Sequence, residues 1–255
     1  MVSFKFARVP QENLALDNIE EVVREWSIRE GDEESGQGAI PETLNVPSDD
    51  TAYFKYGNWR TEEVEKLDGT EQVPKCEKRL MGVLGGNLFF VETASTNDYR
   101  ESMVDMFERE FTDGIVLETE EFISSAMKMA EAQADDLLEV KFLPSGRMEP
   151  ESITIEDRGD VMGTDAYERH EDEERRRLRM ELNPESQTLK QGFKKRGVFT
   201  AYHRDLQSDE MVGILRANYE LLRRMLEENT GPQRSWSSWE VDEGSDSGSS
   251  SESDD

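Results

Sequence analysis

Nine basic side chains fall between residues 175 and 204: Arg175, Arg176, Arg177, Arg179, Lys190, Lys194, Lys195, Arg196 and Arg204. Only Glu181 and Glu185 oppose them, inside a chain whose formal charge is −28. Phe193, Phe199 and Tyr202 interleave with these cations. Cations that pair with phosphates, beside rings that stack on bases, are the ingredients of nucleic-acid contact. The first three arginines have a blander explanation. Glu171, Asp172 and Glu173 precede them by four residues each, so on a helix all three would be paired along one solvated face. The remaining group, Lys190, Lys194, Lys195, Arg196 and Arg204 on a turn and strand, is the expected binding patch for DNA or RNA, with Phe193 or Tyr202 stacking.

Other constellations are thinner. Trp236 and Trp239 stand in an otherwise polar, acidic tail, where two rings either pack back on the body or anchor a linear motif in a partner's groove. Glu139-Val140-Lys141, with Asp113 earlier in the chain, has the acid and (D/E)xK arrangement of metal-dependent nucleases. About two such tripeptides are expected by chance at this composition, and a nuclease is the weakest of the readings. His203 near Asp205 lacks an accompanying nucleophile motif. Gly85-Gly86 lacks the Lys-Ser/Thr of a phosphate-binding loop. One cysteine, Cys76, and two histidines offer no thiol or imidazole metal cluster. No catalytic residue, metal or cofactor is expected.

The elements that must position these residues read as α+β. Val2, Phe4 and Phe6 alternate as in a half-buried strand. Leu16, Ile19, Val22/Val23 and Trp26 follow at helical spacing, and Gly31 to Asp50, rich in Gly, Pro and acids, reads as a loop. Ala52 to Tyr56 is a strand. Arg79–Leu84 and Leu88–Glu92 flank Gly85-Gly86-Asn87 as a β-hairpin. Asp98 opens a helix whose stripe is Tyr99, Met103, Met106/Phe107 and Phe111. Gly114–Glu118 is a short strand, Thr119 caps a helix carrying Phe122, Ile123, Ala126, Met127 and Ala130, and Leu137–Leu143 is a strand. Beyond Pro144, residues 152–156, 178–182 and 197–202 are strands. Ser208 caps one long helix along Met211, Leu215, Tyr219, Leu222 and Leu226, ended by Asn229, Gly231 and Pro232. The expected organisation is a mixed β/α domain over 1–143, a smaller antiparallel sheet with one long C-terminal helix over 144–229, and a disordered Ser-rich acidic tail over 230–255.

Charge is uneven along these segments: net −18 over 1–143, −4 over 144–229 and −6 over 230–255. Acids scattered through periodic apolar segments, with 20 Arg against 10 Lys, fit a folded protein adapted to molar salt. At about 1 M the screening length is only about 3 Å, and carboxylate repulsion fades. The rival is an acidic protein of an ordinary cytoplasm or nucleus, whose tail serines would be phosphorylation targets. No run approaches the roughly 18 apolar residues of a membrane span, and the N-terminus lacks the order of a secretory signal. The expected protein is cytoplasmic, halophilic and non-catalytic, and associates with DNA or RNA. The alternative is a protein-interaction adaptor working through its acidic surface and tryptophan-bearing tail.

Overall fold

The computed structural model describes residues 1–9, 16–27, 36–66, 69–93, 97–111, 118–119, 122, 124–143, 152–157, 160–182, 189–195, 197–203, 206–227 and 234–235. The elements in chain order are β1 (Val2–Arg8), α1 (Ile19–Glu25), β2 (Gly36–Ser48), β3 (Thr51–Lys66), β4 (Gly69–Leu84), β5 (Leu88–Glu92) and α2 (Asn97–Phe111). There follow β6 (Glu118–Thr119), α3 (Ser124–Ala132), β7 (Asp136–Leu143), β8 (Ile153–Glu156), α4 (Asp165–Glu168) and β9 (Glu174–Leu182). Last come β10 (Leu189–Lys194), β11 (Val198–Ala201), α5 (Ser208–Ala217), α6 (Tyr219–Glu227) and β12 (Arg234–Ser235). No helix among the described residues is long and apolar enough to cross a membrane.

Ten strands form one sheet in the order β2-β3-β4-β5-β1-β11-β10-β9-β7-β8, and β12 pairs separately with β6. Every pairing in the large sheet is antiparallel. This corrects the expected mixed β/α unit followed by a small second sheet. The alternation of strand and helix in the first 143 residues suggests a parallel sheet. α1 does join β1 to β2, which run in the same direction, but they lie four strands apart with antiparallel strands between them. α2 and α3 join β5 to the oppositely directed β7. β1 is hydrogen-bonded to β5 on one side and to β11 on the other, so strands from before and after Pro144 share one sheet. β7, on the N-terminal side of Pro144, pairs with β8 and β9 beyond it.

Three further expectations change. The segment read as a loop contains β2, an edge strand whose Pro41 and Pro47 suit the unpaired side of an edge and blunt it against further pairing. Arg175 to Arg177 lie on β9, not on a helix. The one long C-terminal helix is two, α5 and α6, broken at Asn218. The cause is a buried amide pair. Asn218 exchanges two 3.1 Å hydrogen bonds with Gln191 of β10, and its Nδ2 also donates to the Ile214 carbonyl at 2.9 Å. Burying both amides is tolerable only because they satisfy each other, and that geometry turns the chain. α5 itself begins one residue earlier than a Ser208 cap would place it, with the Gln207 N–H donating to Glu210 at 2.8 Å.

Strand alternation sends successive side chains to opposite faces, and the core accordingly has two parts. Phe4, Phe6, Phe90, Val140, Leu178, Phe193 and Phe199 pack under α3, α5 and α6. Ala7, Phe54, Tyr56, Met81, Phe89 and Val91 pack on the other face under α1 and α2, where Phe89 stacks on Phe107 with ring centroids 4.1 Å apart. Between β4 and β5 the chain reverses through Gly85 (φ 56°) and Gly86 (φ 71°), the left-handed conformations that glycine adopts without a Cβ clash. Among the described residues the far ends of β3 and β4, from Arg60↔Lys75 to Lys66↔Gly69, pair only with each other and extend past the register with β2, which stops at Trp59.

A buried ionic cluster ties the second half of the sheet together. Arg175 and Glu131 side chains are 3% and 4% exposed and pair at 2.7 Å. Arg175 also donates to the Glu171 and Glu173 carbonyls and, at 3.2 Å, to the Tyr167 hydroxyl, and its guanidinium lies 5.2 Å from the Phe142 ring centroid. The Tyr167 hydroxyl in turn donates to Glu131. Burial, then the Glu131 carboxylate, pushes the Tyr167 phenol up to about 12. The folded state therefore holds this proton more tightly than the unfolded chain does. The stabilisation is complete below about pH 10, the ordinary tyrosine value, and is lost as pH rises towards about 12. Denaturant titrations from pH 9 to pH 12 are expected to show a falling stability whose slope is shallower in Tyr167→Phe. An unchanged slope would show that the phenol titrates normally.

Candidate functional site

The second half of the sheet has one face in the core and one charged. On the charged face the strand register aligns residues in rows. One row runs Ser3, Thr200, Gly192, Arg179, Glu139, Glu156 across β1, β11, β10, β9, β7 and β8. The next runs Lys5, Val198, Lys194, Arg177, Lys141, Thr154 over the same six strands. A third, shorter row is Lys190, Glu181, Asp136. Six cations and four carboxylates thus share this face in a protein of charge −28. The buried apolar side chains of α1 and α2 all belong to the cluster on the sheet's first half, and α3, α5 and α6 cover the opposite side.

Ion pairs lace part of the face. Glu139, 8% exposed, accepts from Arg177 at 3.2 Å and lies 3.6 Å from Arg179, which also contacts Glu156. Lys190 pairs with Glu181 at 2.5 Å, and Lys195, at the end of β10, pairs with Glu174. Lys5 and Lys194 have interactions of their own, Lys5 being buried. The middle row remains unusual. Lys194, Arg177 and Lys141 are neighbours on three adjacent strands, about 4.8 Å from one to the next. Like charges placed side by side on a sheet repel, and Lys141 has no ion-pair partner among the described residues.

Tyr202 lies over this surface. A Cβ on Gly192 would stand 3.0 and 3.1 Å from the Tyr202 Cε2 and hydroxyl oxygen, so the bare glycine lets the ring approach β10 closely. Burial raises the Tyr202 phenol and Glu139 raises it further, while Arg177 and Arg179 pull it down. The hydroxyl therefore sits in the field of all three charges.

The expected patch is thus rearranged. Lys190, Lys194 and Tyr202 lie on the charged face. Lys195 lies at its end and is paired. Phe193 points the other way, fully buried between Phe122 and Phe199 at centroid distances of 6.1 and 5.3 Å, and presents no face for stacking. Arg196, Arg204, Asp205, Asp113, Trp236 and Trp239 fall outside the described residues. His203 accepts the Lys190 N–H at 3.3 Å through Nε2, a strand-end contact. Glu139 and Lys141, the nuclease pair, are on the charged face, but Glu139 is committed to two arginines. No group of three or more His, Cys, Asp or Glu placed to hold a metal occurs among the described residues. The expected patch left out Arg177, Arg179 and Lys141, with Arg177 assigned to a self-paired helical face and Lys141 to the nuclease motif. Their signal was the period-2 alternation of Arg177-Leu178-Arg179-Met180 and Glu139-Val140-Lys141-Phe142, which puts every charge on one side of a strand.

The fold is mostly one large antiparallel sheet with few short helices, and one face of its second half gathers basic side chains in an otherwise acidic chain. No protein-family model matches the sequence, and no curated protein matches it either.

Proposed function

We propose that this is a non-catalytic, salt-adapted protein that binds DNA or RNA on the charged face of its sheet. The reading rests on one observation: Lys194, Arg177 and Lys141 stand abreast, with Lys141 unpaired among the described residues. An anion laid along the row meets Lys141 directly and shares Arg177 with Glu139. A phosphate backbone supplies such anions at short regular intervals, and Arg177 adds a planar fork suited to phosphate oxygens. Tyr202 offers the ring nearest the row. In molar salt counterion release contributes little, so such binding would depend on direct, charge-assisted hydrogen bonds.

The test is fluorescence anisotropy with labelled single- and double-stranded oligonucleotides across a salt series. Lys141→Glu with Lys194→Glu is expected to weaken binding at least tenfold and to flatten the plot of log K against log salt by roughly 0.7–0.9 for each phosphate no longer neutralised. Lys78→Glu, an exposed position on β4 away from this face, should leave both unchanged. A wild-type protein that retains no oligonucleotide at any salt would refute the reading.

A further inference from the structure

We propose that the acidic segment 236–255 docks on the Lys194–Arg177–Lys141 row of its own chain and competes there with nucleic acid. The competition, though not the docking, rests on the function proposed above.

Three observations converge on this occupant. The first is where the segment starts. β12 fixes Arg234 opposite Thr119 and Ser235 opposite Glu118, and β6 lies against β1. Three residues beyond β6, the Phe122 N–H donates to the Lys195 carbonyl at 2.6 Å and the Phe122 ring packs on Phe193. The root of the tail is therefore held near the end of β10 that carries Lys194, on the face of the sheet that Phe193 occupies, and the segment reaches the row by passing round that strand end.

Length is the second. Twenty residues follow Ser235, enough to reach about 65 Å when extended. Crossing from Lys194 to Lys141 takes only two strand spacings, about 10 Å. The tether converts a weak association into one fed by an effective concentration in the millimolar range. Charge is the third. The segment holds seven carboxylates between Glu240 and Asp255 and no Lys or Arg, so it resembles a polyanion in the one property that the row can recognise. The attraction is electrostatic and lies at the surface, so it weakens as the screening length falls from about 8 Å at 0.15 M to about 3 Å at 1 M salt. Salt then sets how much of the face is open.

The experiment uses the full chain. Carbodiimide treatment at low salt, followed by peptide mapping, is expected to give amide cross-links from Lys141 or Lys194 to carboxylates of 240–255, fading at 1 M salt. A full-length variant with all seven of those carboxylates changed to amides should bind oligonucleotide about fivefold or more tightly at low salt, with the gain absent in the Lys141→Glu, Lys194→Glu background. Absence of these cross-links overturns the docking. So does their appearance only between isotopically distinct copies, which would place the tail on a second molecule. Cross-links without oligonucleotide binding by either protein would overturn the competition and the proposed function, and leave the docking in place.

Discussion

Arg175→Met is expected to destabilise the protein by about 3–5 kcal/mol, because it leaves the Glu131 carboxylate charged and uncompensated in the interior. Glu131 receives Arg175 Nε at 2.7 Å and is 4% exposed, so water cannot replace the missing donor without opening the packing between α3 and β9. Two further acceptors, the Glu171 and Glu173 carbonyls, lose their guanidinium at the same time. Lysine cannot substitute. One ammonium group has three donors on a point charge, whereas this site uses the fork of a guanidinium in several directions. The loss belongs to the missing partner and not to the absence of charge as such. Replacing the whole cluster with apolar groups of similar volume, Arg175→Met with Glu131→Leu and Tyr167→Phe, is therefore expected to recover most of the stability. Urea unfolding of the wild type, the single variant and the triple variant checks both parts. A single variant within about 1 kcal/mol of wild type would mean that the cluster is solvated, since that is the value of an exposed pair.

The second large effect is steric. Gly82 pairs with Tyr53 of β3 and Phe90 of β5 in the interior of the sheet. A Cβ there would overlap the Ala52 carbonyl oxygen and stand 2.8 Å from both Cα and Cβ of Tyr53. None of these atoms can rotate aside, because two are backbone and the third is fixed to it. β3 and β4 would have to separate, disturbing Tyr53, Leu80 and Leu84 in the core beneath. Gly82→Ala is expected to cost about 3 kcal/mol or more, the upper end of overpacking penalties. Gly213, on α5, is the control. Nothing lies within 4 Å of its added Cβ, and alanine in a helix interior is preferred by about 0.5–1 kcal/mol. Thermal or urea unfolding should move the two variants in opposite directions. Equal stabilities would contradict the close approach of β3 and β4.

The local elements were largely readable. The alternation of Val2, Phe4 and Phe6 placed β1, and Gly85-Gly86 placed the hairpin, because each depends on residues adjacent in the chain. The stripe of Met103, Met106, Phe107 and Phe111 did the same for α2. β2 was not readable. Its prolines and polar residues match a loop, and only pairing with β3 makes it a strand. The β3–β4 projection was hidden for a similar reason, since a ribbon wet on both faces has no apolar period to detect. The break at Asn218 depends on Gln191, twenty-seven residues away.

Sequence by itself determined the charge balance, the strands and helices with strong periods, and the polar side of strands that alternate, such as β7 and β9. Tertiary structure alone decided that these strands form one antiparallel sheet. It also decided which cations are neutralised: Arg175 by Glu131, Lys190 by Glu181 and Lys195 by Glu174. It brought Lys141 beside Arg177, thirty-six positions later, and Arg177 beside Lys194. The reason is physical. Side-chain direction within a strand follows from local backbone geometry, whereas cross-strand neighbours are chosen by long-range register, which the buried faces and the backbone hydrogen bonds set together.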